Sequence, residues 1–286
     1  MIKSISRVAL VAALAMGSAA SANHQWGTYH WSKGTGQLTV PVGDNVTAVW
    51  DSYLRVAIGG TGARDWNDST AIESPVVAGA TTARRCRAAA GRIEVCNLRY
   101  GNTGWLGVAG ISISNGHITS GYTKLNDTYF DTAQYNTPAW RRLVTCQEIG
   151  HDYGLGHTDE AFGNANDGTC MDYTNAPAGG TLGGFNYGPS NEYPNQHDYD
   201  MLNTMYAHTH QATTNFGVRE PGSAAAPPSS DRGLEGGNSM VDWGRAIDYD
   251  AEGRPHRFEK SEGGRKIITH VFWVPGFRPH GSRHED

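Results

Sequence analysis

Apolar and polar residues alternate with a period of two over residues 92–96, 107–114 and 118–125, the pattern of strands with one buried face. Residues 37–42 predict a further strand, Gly43-Asp44-Asn45 a turn, and Trp50, Leu54 and Ile58 a helix that runs on until Gly59, Gly60 and Gly62 end it. Residues 66–70 lead into another strand at 72–77. At Thr137 the period changes. A hydroxyl cap followed by Pro138 at the first helical position opens a helix, and Leu143, Val144 and Ile149 give it an apolar stripe. Gly154 supplies a residue able to take positive φ just past its end. Residues 174–196 are rich in Gly, Asn and Pro, after which Tyr199, Met201, Leu202, Met205 and Tyr206 fall at the spacings of a packing helix. The sum is an α+β protein, a sheet with a few helices.

The two ends of the chain read differently. Residues 1–22 have a basic start (Lys3, Arg7), an apolar stretch and the small residues Ala20-Ser21-Ala22, which predicts a secretory signal peptide and a secreted mature chain. No later apolar run reaches the roughly 18 residues that a membrane span needs. A main unit is expected over 23–217. Residues 218–239, with Ala-Ala-Ala-Pro-Pro-Ser-Ser inside them, have the composition of a flexible linker. Alternation returns at 243–249, 256–259 and 265–274, predicting a small β-meander appendage over 240–275 before a tail at 276–286.

A formal net charge of −5 offers no basic field for nucleic acid. Four cysteines allow three pairings, and export makes pairing the expectation. Cys86 with Cys96 and Cys146 with Cys170 is the favoured set. The first pair closes a short segment around Ala90-Gly91; the second would tie the helix at 137–153 to the segment around Met171.

The chemistry concentrates in residues 147–157, Gln-Glu-Ile-Gly-His-Asp-Tyr-Gly-Leu-Gly-His, one letter from the zinc-binding run H-E-x-x-H-x-x-G-x-x-H. Positions i and i+4 of a helix share a face, so Gln147 and His151 can point at one ion, with Glu148 beside them. A turn at Gly154 would bring His157 back to the same ion. Two imidazoles and one further ligand leave a fourth position open, the arrangement of catalytic zinc, and Glu148 is placed to act as general base.

With these residues in view, the run resembles that of the metzincin zinc peptidases, nearest to the matrixin-like bacterial group, over about residues 37–210. The resemblance implies a metzincin-like catalytic domain, a twisted mixed sheet with an active-site helix and a methionine turn. Cys170-Met171-Asp172-Tyr173 fits that turn, with Met171 as the apolar floor below the metal. It further implies that Tyr173 reaches the metal or a transition-state oxyanion, and that residues 116–127 form an edge strand along which a polypeptide substrate binds. The family pattern has histidine where this chain has Gln147, a weaker neutral donor; His197, Asp159 or Tyr173 could complete the shell instead. Calcium is not indicated, since no run matches a calcium loop. The expectation is a secreted, monomeric zinc endopeptidase; the alternative is an inactive peptide-binding protein of the same shape.

Overall fold

The computed structural model describes residues 24–25, 28–59, 65–207, 237–262 and 264–279. The expected signal peptide and nearly all of the expected linker lie outside these residues. Short strands β1 (His30–Trp31) and β2 (Leu38–Thr39) precede β3 (Val42–Asn45) and helix α1 (Ala48–Ile58). Next come β4 (Ile72–Glu73), β5 (Val76–Ala78), β6 (Ile93–Leu98), β7 (Trp105–Ser114) and β8 (His117–Asn126). Helices α2 (Asp127–Phe130) and α3 (Pro138–Asp152) follow, then the small hairpin β9 (Thr181–Leu182) and β10 (Phe185–Asn186), and α4 (Gln196–Met205). The C-terminal part holds α5 (Met240–Trp243), β11 (Arg245–Tyr249), β12 (Pro255–Glu262) and β13 (Arg265–Trp273). The protein is thus α+β, with one large mixed sheet and few helices.

The sheet runs β11-β12-β13-β7-β8-β6-β3-β5, with β1 added beside β8. Pairings from β11 through β8 are antiparallel, whereas β8–β6, β6–β3 and β3–β5 are parallel. The three C-terminal strands therefore continue the main sheet, joined to it where β13 pairs with β7.

Two sequence expectations change here. Gly43-Asp44-Asn45 is strand rather than turn, because β3 is paired on both sides and the Asn45 Nδ2 donates to the buried Glu94 carboxylate at 2.6 Å. Tertiary pairing outweighs local turn propensity. The strand at 117–126 is not an edge: β7 and β6 flank it, so it cannot receive an added polypeptide strand.

One face of the sheet packs against α1, α3 and α4 through a large apolar cluster including Ile111, Ile113, Leu143, Ile149, Ile268 and Phe272. The other face carries a smaller cluster around Trp105, Val108, Tyr122, Trp243 and Val271. Both predicted disulfides are formed. Cys86–Cys96 secures the covering segment to β6, and Cys146–Cys170 joins α3 to the Met171 segment with Cα atoms 5.9 Å apart. Among the described residues no helix is long and apolar enough to cross a membrane.

Helix α3 positions the site. Thr137 Oγ1 accepts from the Trp140 amide at 3.3 Å, and Pro138 occupies the first turn. The helix stops through paired C-terminal bonds: the Leu155 amide donates to the Gly150 carbonyl at 3.2 Å and the Gly154 amide to the His151 carbonyl at 2.9 Å. This closure needs Gly154 at φ +98°, and a Cβ there would stand 2.6 Å from the Tyr29 carbonyl oxygen. Gly154→Ala is expected to lower unfolding free energy by about 2 kcal/mol or more, from backbone strain and that clash. Gly163→Ala, in open space at an ordinary φ, should change it by less than about 0.5 kcal/mol. Denaturant unfolding of both variants tests this, and equal values would contradict the account of the turn.

Candidate metal centre

The reversal at Gly154 carries the chain back over the end of α3. His151 Nδ1 lies 2.8 Å from the Leu155 carbonyl oxygen, which can only accept, so the ring proton sits on Nδ1 and Nε2 carries the lone pair. His157 Nδ1 lies 3.3 Å from Glu160 Oε1, which orients that ring in the same sense. The two Nε2 atoms then face each other at 3.1 Å. Two ligands of one tetrahedral zinc-sized ion, with bonds of about 2.0–2.1 Å, stand about 3.3 Å apart. Facing lone pairs at this separation repel unless a cation lies between them, so the pair fits a shared ion.

Both rings are buried, and burial holds both imidazoles well below the ordinary histidine value. For His151 the neighbouring His157 adds to the effect, and for His157 the charge of Arg257 does. Neutral imidazole is the ligating form.

Gln147 sits one helical turn before His151 and is fully buried. Its Nε2 donates to the Cys170 carbonyl at 2.7 Å, which fixes the amide orientation and leaves Oε1 with no hydrogen-bond partner. A buried carboxamide oxygen in that state costs about 1–3 kcal/mol. By helical spacing Gln147 shares the face of α3 that carries His151. The carbonyl that holds the Gln147 amide belongs to the disulfide-bonded Cys170, and Met171 packs its sulfur against α3 at Gly150.

Glu148 projects from α3 toward β7. Gly107 makes room for it, since a Cβ there would stand 2.6 Å from Glu148 Oε1. Neither carboxylate oxygen makes a full hydrogen bond, the Ala109 amide being the marginal donor. Burial pushes this carboxyl well above the usual range, with the nearby Asp152 charge adding to it. Asp152, one turn on, is pushed up by burial too and accepts from Thr123 Oγ1 at 2.8 Å.

The other predicted residues lie as follows. Tyr173 packs its ring 4.1 Å from that of His157 and gives its hydroxyl to the Val271 carbonyl at 3.3 Å. Asp159 Oδ1 caps a turn, accepting from the Ala161 amide and Asn164 Nδ2 at 2.7 and 2.9 Å. His197 groups with His24 and Asp198, stacked on the His24 ring at 4.8 Å, rather than with His151 and His157.

The residues that do join the pair come from the C-terminal strands. One ring nitrogen each of His151, His157 and His270 lie within 4.8 Å of one another, and the His270 ring stacks on His151 at 3.8 Å. His256 Nδ1 lies 3.0 Å from His270 Nε2, and its Nε2 is 3.3 Å from Glu160 Oε1. His157, Glu160 and His256 make a second grouping able to hold a metal ion. Sequence reasoning missed His256, His270 and Glu160. One signal was available: His270 falls in register between Ile268 and Phe272, at an inward-facing strand position where a histidine must have a purpose or a partner.

Comparison of the chain with protein-family models and with the curated proteins finds no match.

If His151 and His157 are neutral ligands, affinity for a divalent probe such as Co²⁺ should fall less than about threefold between pH 7.5 and 5.5. Two histidines of ordinary pKa would lose about 100-fold through proton competition over the same interval. Competition titration at the two pH values decides it, and the larger loss would contradict burial of the neutral rings.

Proposed function

We propose that the chain is an exported zinc-dependent endopeptidase in which His151, His157 and Gln147 hold the ion and Glu148 is the general base. One observation carries this reading. The Nε2 atoms of His151, on α3, and of His157, past its end, converge at 3.1 Å, and the same helix carries a buried carboxylate with neither oxygen saturated. Two neutral imidazoles suit zinc, and the uncharged amide oxygen of Gln147 is the weakest donor of the three. Export rests on the signal-like first 22 residues, with the two disulfides in support.

Zinc bound there would supply Lewis acidity, polarising a peptide carbonyl and easing the loss of a proton from water. Glu148 takes that proton at a carboxylate oxygen as the water attacks, then returns it to the leaving amine nitrogen. Its dry pocket makes it a stronger base than a carboxylate in water, while a cation at the histidines favours its ionised form. Gln147 is braced from below by the Cys170 carbonyl, which compensates for its weaker donor character by fixing it in place. The Tyr173 ring packs beside His157, and its hydroxyl, once released from the Val271 carbonyl, is a donor for a carbonyl oxygen in which negative charge develops.

A second reading, a non-catalytic binding protein with a closed metal centre, is favoured by the burial of His151 and His270, at 0% and 1% exposure. Both readings are tested by measuring zinc per chain at saturation and cleavage of a mixed peptide library with and without chelator. The measurements use the mature chain and its His270→Ala variant. Chelator-sensitive cleavage is expected, reduced about 100- to 10,000-fold by Glu148→Ala with zinc content unchanged. Cleavage that survives Glu148→Ala removes the mechanism. Stoichiometric zinc with no cleavage in either background selects the binding protein.

A further inference from the structure

Strand β13 crosses the sheet at the level of Glu148. Its pairing with β7 is antiparallel, setting His270 opposite Ala109 and Phe272 opposite Gly107. Those same two residues of β7 face Glu148, Gly107 by making room for it and Ala109 through its amide. On the helix-facing side of the strand, the His270 ring stacks on His151 and meets the His157 ring edge-on at 4.4 Å. Between them in sequence, the Val271 carbonyl accepts the Tyr173 hydroxyl at 3.3 Å. A polypeptide recognised by strand addition to β7 would present backbone carbonyls and side chains along this same line.

Resting on the peptidase reading above, we propose that β13 is an intrachain stand-in for a substrate strand: His270 ligates the ion as a third imidazole while the Val271 carbonyl occupies the Tyr173 donor. The resting chain then keeps its own centre filled. Three imidazoles with the Gln147 oxygen make four donors, a closed shell that binds an ion firmly and leaves no position for water. His256 holds His270 in orientation, and Glu160 in turn touches His256 and His157, so the strand pair β12–β13 is fastened to the centre at two points. The occupant is a segment of this chain already seated on the track, and hydrolysis requires it to give way.

The test uses the full mature chain with Co²⁺ and Zn²⁺ as probes. His270→Ala is expected to weaken affinity for both ions about 10- to 100-fold and to change the Co²⁺ absorption spectrum, as loss of an imidazole ligand would. In the unaltered chain, loading with Zn²⁺ should slow amide hydrogen exchange across residues 265–273, a readout that needs no variant to fold. A small hydroxamate such as acetohydroxamate, which needs only the coordination position that His270 would vacate, should bind zinc-saturated His270→Ala at least about tenfold more tightly than the unaltered chain. Unchanged affinity and spectrum in His270→Ala, unchanged exchange in β13 on loading, or equal hydroxamate binding would each overturn the proposal. If ion binding instead survives His151→Ala and His157→Ala, the peptidase reading itself fails.

Discussion

Two neutral imidazole nitrogens held face to face in a dry interior are the constraint on which the rest of the structure turns. Electrostatic interactions that water would damp to little are several times stronger at such a place. The arrangement is sustained by covalent and backbone devices around it. The Leu155 carbonyl sets one ring, Glu160 the other, and the glycine turn forces the chain to double back. The Cys146–Cys170 bond fixes the helix over the Met171 segment, closing a loop whose cross-link removes roughly 3 to 4 kcal/mol of freedom from the unfolded chain.

A second buried arrangement lies on the adjoining face of the same helix. Glu148 and Asp152 stand one turn apart, both fully buried against strands β7 and β8. Burial raises the proton affinity of both carboxyls, and the Asp152 charge raises that of Glu148 further. Asp152 has Thr123 to bond with, whereas Glu148 has only a marginal backbone donor. The difference in environment leaves Glu148 the less satisfied of the two, with both of its oxygens short of a full hydrogen bond against one for Asp152.

Much of this was legible in the sequence because it is local. The cap at Thr137, the proline after it, the helical stripe, the breaker at Gly154 and the ligand spacing all lie within one stretch of chain, and α3 formed as they predict. The strands β6, β7 and β8 formed as well, but with both faces buried rather than the one that their alternation predicts, because the sheet is covered on its second side by the cluster around Trp105 and Trp243. What failed was information carried by neighbours across the sheet. Gly43-Asp44-Asn45 looks like a turn until β5 and β6 pair with it from both sides, and residues 117–126 look like an edge until β7 folds back on them. His256 and His270 lie far from the motif in sequence, and only the pairing of β13 with β7 carries them to it. Alternation announced those strands but not the sheet they would join.

That pairing also bears on how the molecule is made. Strand β7 is long, almost wholly buried and rich in apolar residues, and its outer side is covered by a strand from the C-terminal part of the chain. Until that part arrives, the growing molecule presents a ready template for pairing with other chains, a hazard for aggregation. Closing the sheet is a contact between segments distant in sequence, of the kind that forms slowly. The histidine cluster is complete only when that closure is made, and a nascent chain lacking its last strands carries neither a finished sheet nor His256 and His270.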